Sequence, residues 1–260
     1  MSLTNTPAHT AKIFSTPEFH AAVLGLNPVV AVFDCDGTLW SGDAGTGFMR
    51  WTMGQGEGAR GILSPQAVAR IDQRYRGYLA GQVSELDICG EMVQIYAGLR
   101  ESDMRAAARE FFRTQVERNI FPEMEVLLRE LQFRGVEIWA VSSTCNWVVE
   151  EAVRRFHIQP NRVLAAQVEI DSDTGLVTDR LISVPTDEAK VAALARVGIP
   201  DPDAVFGNSI HDAAMLAIAR ANGAFAVNPS GDLLQRAAAE GWPVFYPASV
   251  RPAKPLSLSS

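Results

Sequence analysis

Short apolar runs alternate along the chain with longer segments whose apolar residues recur at helical spacing. The mainly apolar runs lie at residues 29–33, 136–141, 204–206 and 224–227, and each is followed by glycine or polar residues. Continuous apolar strands are typical of parallel sheets that are covered on both faces. Residues 165–184 instead alternate around a turn-rich centre, which indicates a β-hairpin. The pattern predicts an α/β fold with a parallel sheet and right-handed crossovers.

Residues 41–120 lack a convincing strand and carry helix-start signals instead. Ser64 is followed by proline, a pairing typical of an N-cap and the first helical position. Ser84 begins a second such signal, because an acid follows it three residues later. We therefore predict a helical cap domain at residues 41–120, inserted into an α/β core domain formed by residues 1–40 and 121–260.

Two acids follow the first apolar run directly. Asp34 and Asp36 are two residues apart, so on an extended chain their side chains point the same way. They would lie at the carboxyl end of a strand, where open α/β sheets bind their ligands. Such a pair can hold a hard cation, or one carboxylate can attack while the other transfers a proton.

Polar residues also follow the later strands. Ser142 ends the second apolar run, Lys190 lies on the helix before the third, and Asn208 and Asp212 follow that third run. In a parallel sheet these ends share one edge. A carboxylate nucleophile, an ammonium group and a hydroxyl at one edge suit phosphoryl transfer, because they can attack phosphorus and neutralise or orient its oxygens.

Composition narrows the classes of partner. The net charge of −7 argues against a nucleic-acid-binding protein, and no apolar run approaches the length of a membrane span. The first 18 residues show no secretory signal. Three widely separated cysteines form neither a disulfide framework nor a metal pattern, which favours the cytoplasm. The expected partner is a small phosphorylated metabolite, and the oligomeric state stays open.

The set and order of these motifs resemble the phosphatases of the haloacid dehalogenase superfamily, in particular the phosphoserine phosphatase-like branch. Residues 34–38 look like the first motif, Ser142 the second, Lys190 the third and residues 207–212 the fourth. The helical segment after the first motif resembles that branch's cap. The resemblance implies a Rossmann-like three-layer parallel-sheet core with an inserted all-helical cap.

The resemblance also implies a role for each motif. Asp34 would be the nucleophile that forms an aspartyl-phosphate, and Asp36 would protonate the leaving group and then activate water. The implied Mg²⁺ ligands are Asp34, Asp36 (through its backbone carbonyl), Asn208 and Asp212. The implied phosphate-binding residues are Ser142, Ser143, Lys190, Gly37 and Thr38.

One residue departs from the family pattern. Asn208 stands where the fourth motif usually has aspartate. An amide oxygen can ligate Mg²⁺ but brings no charge, so we expect weaker metal affinity. Three interpretations stay open: a phosphomonoesterase, a phosphotransferase that passes the phosphoryl group to another alcohol, and a catalytically weak phosphate-binding protein.

The substrate is indicated only by the region after the first motif. In phosphoserine phosphatases an acid there binds the substrate amine and a cap arginine binds its carboxylate. Asp43 stands at the acid's place, but residues 81–93 contain no arginine or lysine. This favours phosphoethanolamine or phosphocholine over phosphoserine. Asp43 could equally be an N-cap. The aromatic residues that could form a cation cage, or simply core, are Trp40, Trp51, Tyr75, Tyr78 and Tyr96.

Overall fold

The computed structural model describes residues 11–251. The strands are β1 (Ile13–Phe14), β2 (Val30–Phe33), β3 (Glu137–Cys145), β4 (Val163–Ile170), β5 (Val177–Ser183), β6 (Ala204–Gly207), β7 (Ala224–Val227) and β8 (Val244–Phe245). The helices are α1 (Thr16–Gly25), α2 (Ala44–Thr52), α3 (Pro65–Leu79), α4 (Glu85–Gln94), α5 (Glu101–Phe111), α6 (Pro122–Phe133), α7 (Asn146–Val153), α8 (Glu188–Arg196), α9 (Ala213–Ala217) and α10 (Gly231–Glu240).

The eight strands form one sheet in the order β1-β8-β7-β6-β2-β3-β4-β5. All neighbouring pairs are parallel except β4 and β5, which are antiparallel and form the predicted hairpin. The strand β2 lies in the interior, between β3 and β6. The polar residues that follow these three strands therefore meet at one edge of the sheet.

Both faces of the sheet are covered, as its apolar strands predict. Phe33 belongs to one apolar cluster and stacks on Phe206, with ring centroids 4.2 Å apart. The adjacent Val32 points to the other face and packs in a second cluster with Leu194 and Leu233. Burying each such side chain contributes roughly 1.5–3 kcal/mol. This layering confirms the Rossmann-like three-layer α/β fold.

Helices fill the segment between β2 and β3. Within the described residues 11–251, no strand of the sheet comes from positions 41–120. Ser64 and Ser84 cap α3 and α4 as predicted, each accepting a hydrogen bond from a backbone N–H three residues later. The sequence pattern did not reveal α2, which begins directly after its N-cap Asp43. The division into two domains stays a prediction.

The second predicted strand is longer than its apolar run. The strand β3 continues through Ser142, Ser143 and Thr144, because these residues stay extended beside β4, with a register shift between Val141 and Cys145. Ser142 therefore lies within a strand and not at its end.

The described residues cover only part of what the sequence predicts about a secretory signal and a membrane span. The signal-free start of the chain includes residues 1–10, which lie outside them. None of the helices in residues 11–251 combines the length and apolar character that crossing a bilayer requires.

Candidate active site

A cavity of about 430 Å³ opens at the carboxyl edge of the sheet; we call it the central cavity. Residues from the sheet side that line it include Asp34, Asp36, Ser142, Ser143, Lys190 and Asn208. Residues from the helical segment that line it include Asp43, Tyr75, Tyr78, Glu85 and Met92. The structure thus brings the predicted residues of all four motifs to one place.

Asp34 is held by two neighbours at the end of β2. Its Oδ1 accepts a hydrogen bond from Lys190 Nζ at 2.8 Å, and its Oδ2 accepts one from Thr38 Oγ1 at 3.0 Å. The residue is only 6% exposed. Burial, and then the nearby charge of Asp212, raise the pKa of Asp34 to about 7. The carboxylate is therefore fixed and poorly solvated, with its charge stabilised mainly by Lys190.

Lys190 is a buried cation held between two carboxylates. Its Nζ lies 2.8 Å from Asp34 Oδ1 and 2.5 Å from Asp212 Oδ1, and it also donates to the carbonyl of Val141 at 3.2 Å. Burial acts to lower the Lys190 pKa, but the charges of Asp212 and Asp34 outweigh it and raise the pKa above its usual range. The ammonium therefore stays charged beside Asp34.

Asp36 is fixed by three donors. Its Oδ1 accepts hydrogen bonds from Trp40 Nε1 and from the backbone N–H of Ala44, both at 2.7 Å, and its Oδ2 accepts one from Thr144 Oγ1 at 2.6 Å. Burial, and then the charge of Asp43, raise the pKa of Asp36 to about 6. A carboxyl group with this pKa can give and take a proton near neutral pH.

Thr144 and Trp40 were not among the predicted site residues. Thr144 lies two positions after Ser142 in an extended strand, so their side chains share a face. That spacing was a signal in the sequence. For Trp40 there was no such signal, because its contact with Asp36 depends on the turn after β2.

Asp212 is almost fully buried and engaged on both oxygens. Its Oδ1 contacts Lys190, and its Oδ2 accepts hydrogen bonds from the backbone N–H groups of Asn208 at 2.9 Å and Ser209 at 3.0 Å. Asp212 is 1% exposed. It therefore positions Lys190 and the loop after β6, and it stands behind Lys190 as seen from the cavity.

The predicted phosphate-binding residues lie in two layers. Ser142, Ser143 and Gly37 line the central cavity together with Lys190. Ser142 Oγ accepts a hydrogen bond from the backbone N–H of Thr144 at 3.2 Å, which leaves its proton available for another acceptor. Thr38 is fully buried and donates to Asp34, so its side chain supports the carboxylate from below the cavity.

The oxygen donors around Gly37 fit a hard cation. Within residues 11–251 no three His, Cys, Asp or Glu side chains cluster as a metal site, so a cation would need mixed donors. Asp34 and Asn208 both line the cavity, and Asn208 lies against Gly37, where an added Cβ would be 1.8 Å from Asn208 Nδ2. This carboxylate and amide set, completed by backbone carbonyl and water, matches what Mg²⁺ takes.

Gly37 has a conformation and a neighbour that both require glycine. Its φ is +73°, and Asn208 occupies the place of a Cβ. We expect Gly37→Ala to lower the free energy of unfolding by more than the roughly 1–2 kcal/mol of a left-handed backbone alone. Gly42→Ala is the matched control, because Gly42 has φ +90° and nothing within 4 Å of an added Cβ. Urea denaturation compares them, and equal losses would contradict the close approach of Asn208.

Asp43 lies at the cavity wall but already accepts two hydrogen bonds. Thr46 donates to it through its backbone N–H at 2.8 Å and through its Oγ1 at 2.7 Å. Asp43 is therefore the N-cap of α2, one of the two interpretations open from the sequence. Its side chain is exposed at the cavity, so a role in substrate specificity stays a prediction.

The aromatic residues divide between core and cavity. Trp40, Trp51 and Tyr96 are buried in the apolar core, which rules out a cage that includes them. Tyr75 and Tyr78 line the central cavity. Core packing of the first three residues agrees with the usual role of aromatics at helical spacing. Tyr75 and Tyr78 line the cavity because α3, which carries them, lies over the sheet edge.

His211, in the fourth motif, lies between two acids at the cavity. Its Nδ1 lies 2.9 Å from Asp187 Oδ1, and its Nε2 lies 3.8 Å from Glu85 Oε2 on α4. Its side chain is one-third exposed and lines the central cavity. His211 is only partly exposed because Glu85 of α4 lies beside it at this end of the fourth motif.

Comparisons with known proteins give consistent results. The histidinol-phosphatase of Neisseria meningitidis serogroup C (strain 8013) is 23% identical over 224 residues, which are 83% of this chain and 97% of that relative. A crystal structure of a protein of unknown function from Bordetella pertussis Tohama I has a TM-score of 0.67 at 22% identity, over 83% of this chain and 97% of that one. A substrate-bound phosphoserine phosphatase structure has a TM-score of 0.55 at 14% identity, over 84% and 92% of the two chains.

A family model matches a large part of the chain. The model of haloacid dehalogenase-like hydrolases covers residues 31–217, which include the first, second, third and fourth motifs. The match confirms the resemblance drawn from those motifs. It also confirms the prediction that the protein is an enzyme, from a hydrolase family that includes phosphatases. Because the matched region is well over half of the 260 residues, the chain belongs to the haloacid dehalogenase-like hydrolase family.

Proposed function

We propose that this protein is a Mg²⁺-dependent phosphomonoester hydrolase that acts on a small metabolite through an aspartyl-phosphate on Asp34. The observation that carries the proposal is the pair formed by Asp34 and Asp36. One carboxylate is buried against Lys190, and the other is fixed by three donors with a pKa raised to about 6. Two carboxylates in such different environments suit two different roles.

The first half of the reaction is transfer to the protein. A carboxylate oxygen of Asp34 attacks phosphorus, and the bond from phosphorus to the ester oxygen breaks. The leaving alkoxide takes the proton of Asp36. In the second half Asp36 takes a proton from water, the resulting hydroxide attacks phosphorus, and the bond to Asp34 breaks to release inorganic phosphate.

The surrounding groups balance the charge of the transferred phosphoryl group. Lys190 supplies a positive charge, because the carboxylates of Asp34 and Asp212 keep its ammonium protonated despite burial. Ser142 and Ser143 supply hydroxyl donors on the cavity wall, whereas the backbone N–H of Gly37 already donates to the carbonyl of Trp40. Asp34, Asn208 and the Asp36 backbone carbonyl would hold Mg²⁺, with Asp212 orienting the loop behind them. When bound, Mg²⁺ neutralises phosphoryl oxygens.

Asn208 gives a testable consequence for metal affinity. We expect Asn208→Asp to tighten Mg²⁺ binding about tenfold or more, because it adds a charged oxygen to the ligand set. In metal-free protein the same change should lower the melting temperature, because the new carboxylate faces Asp34 without compensation. Isothermal titration calorimetry and thermal melts with and without Mg²⁺ measure the two effects.

Asn222→Asp is the control for the change in total charge, because Asn222 is exposed and lies outside the cavity. An unchanged or weaker Mg²⁺ affinity in Asn208→Asp would mean that residue 208 does not ligate the metal.

The substrate class is proposed from the cavity and the relatives. The cavity wall carries the acids Asp43 and Glu85 and no arginine among its described residues, which favours an amine-bearing ester over one with a free carboxylate. Candidates are phosphoethanolamine, phosphocholine and phosphoserine, and the relative named a histidinol-phosphatase adds histidinol phosphate.

A cytoplasmic location remains a prediction from three free, buried cysteines.

Phosphate release from a panel of esters tests the proposal. The panel contains the four candidates above together with 2-hydroxyethyl phosphate, a neutral ester that differs from phosphoethanolamine in one terminal group. We expect release that requires Mg²⁺ and stops with EDTA. An absence of release from every ester at high Mg²⁺ would contradict the proposal and favour a phosphate-binding protein weakened at Asn208. Transfer to added alcohols in preference to water would indicate a phosphotransferase.

A further inference from the structure

We propose that Glu85 binds the positively charged group of the substrate and thereby selects phosphomonoesters that carry a protonated nitrogen. The inference rests on the proposed phosphomonoesterase activity and names the residue that determines specificity. Glu85 lies in the first turn of α4 and lines the central cavity together with Asp34.

Glu85 is a largely buried acid that no lysine or arginine of residues 11–251 pairs with. Its side chain is 16% exposed, and its Oε2 is fully buried without a hydrogen-bond partner in residues 11–251. The nearest cationic candidate is His211, whose Nε2 lies 3.8 Å away, beyond hydrogen-bond distance. The other oxygen, Oε1, accepts a weak bond from Cys89 Sγ at 3.4 Å, and the Tyr78 hydroxyl lies close to the carboxylate. A buried carboxylate in this state gains strongly from a cationic ligand.

The role of Glu85 is not explained by the helix that carries it. Ser84 already caps α4 by accepting a hydrogen bond from the backbone N–H of Asp87. The exposed Asp87 supplies a second acid in the same turn, where it interacts favourably with the helix dipole. Neither function requires an acid that points into the cavity wall.

The charges on the helical wall of the cavity favour a cationic ligand group. Asp43 and Glu85 are the acids of the wall formed by residues 41–120, and no lysine or arginine of the described chain lines that wall. Asp43 has both oxygens engaged by Thr46, so Glu85 has the greater unused capacity. Lys190, the cation on the sheet side, is already paired with Asp34 and Asp212.

Two tyrosines complete the cation-binding character of this wall. Tyr75 and Tyr78 line the same cavity, with ring centroids 6.0 Å apart, and the Arg50 guanidinium carbon already lies 5.5 Å from the Tyr75 ring centroid, which leaves Tyr78 as the ring without such a partner in the described residues. Burial, and then the Glu85 carboxylate, raise the pKa of Tyr78, so its phenol stays neutral. Neutral aromatic rings attract ammonium and imidazolium groups, and this attraction adds to that of the carboxylate.

The test compares phosphoethanolamine with 2-hydroxyethyl phosphate, two esters that differ in a terminal ammonium or hydroxyl group. For the unmodified enzyme we expect kcat/KM to be at least about tenfold higher for the cationic ester, as a charge-assisted contact predicts. In Glu85→Gln this ratio should fall by about tenfold, because the amide keeps the shape and loses the charge. Asp87→Asn is the matched control and should leave the ratio unchanged.

The outcomes separate the inference from the proposed function. Release from both esters without a preference in the unmodified enzyme would overturn the inference and leave the phosphatase intact. The inference would also be overturned if Glu85→Gln left the ratio of kcat/KM for the two esters unchanged, or if Asp87→Asn lowered that ratio as much as Glu85→Gln does. No Mg²⁺-dependent release from any ester of the panel would overturn both. Glu85→Lys provides a second variant, in which preference for the cationic ester should be abolished.

Discussion

Replacing Asp34 by asparagine is expected to lower turnover by about 10⁴-fold or more, because the amide cannot form the phosphoryl bond. The change is nearly isosteric, and Lys190 keeps its contact with Asp212 Oδ1, so the fold should persist. Phosphate release at saturating Mg²⁺ measures the loss. A circular dichroism spectrum and a thermal melt establish that the variant is folded.

Asp173→Asn is a suitable control for the Asp34 variant, because Asp173 is an exposed turn residue far along the chain. It should retain full activity. Retention of more than about a tenth of the activity in Asp34→Asn would mean that water attacks the ester directly, without a covalent intermediate.

Replacing Lys190 by methionine is expected to cost about 3–5 kcal/mol of unfolding free energy in metal-free protein, because it leaves two buried carboxylates without their cation. Lys190 has a 3% exposed side chain, and its partners Asp34 and Asp212 are 8% and 1% exposed. Activity should also be lost, since the charge on the phosphoryl oxygens would be unopposed on that side. Urea denaturation and phosphate release measure the two effects.

The control for this variant removes an exposed ion pair. Arg180→Met breaks a contact with Glu169 whose side chains are 62% and 49% exposed, so it should cost at most about 1 kcal/mol. Adding Asp212→Asn to Lys190→Met should recover part of the stability, because one of the stranded charges is removed. If Lys190→Met and Arg180→Met lowered the free energy of unfolding equally, the result would contradict a buried triad of Lys190, Asp34 and Asp212.

The sheet and the edge that carries the site could be predicted because their signals are local. The apolar run before Asp34 and the acids two residues apart already specify a buried strand with converging carboxylates. Later polar residues were assigned to the same edge because parallel strands must end together. Tertiary packing did not have to be known for either step.

Other parts of the site depend on packing that no local pattern reveals. Helix α2 begins directly after Asp43, so in the sequence Asp43 looks like an acid in a loop. The glycines within α2 also weaken the helical signal. Glu85 was not singled out, because one acid at a helix start usually interacts with solvent and the dipole. Only the position of α4 over the cavity shows that Oε2 of Glu85 is buried.

The length of β3 illustrates the same limit. Ser142 and Ser143 are weak strand formers by propensity, and together with Thr144 they resemble a polar loop at the strand's end. They stay extended because β4 pairs alongside and Thr144 bonds to Asp36. Tertiary contacts therefore override propensity at the place where the site requires hydroxyl groups.

The most direct test of the account is to identify the covalently modified residue. Protein mixed with Mg²⁺ and an ester that it hydrolyses is quenched in acid during turnover, and peptide mass spectrometry then locates any added phosphoryl group. We predict a hydroxylamine-sensitive acyl phosphate on the peptide that contains Asp34, and no such modification of that peptide in Asp34→Asn. A phosphoryl group on a different residue, or steady turnover with no modified peptide, would contradict the account.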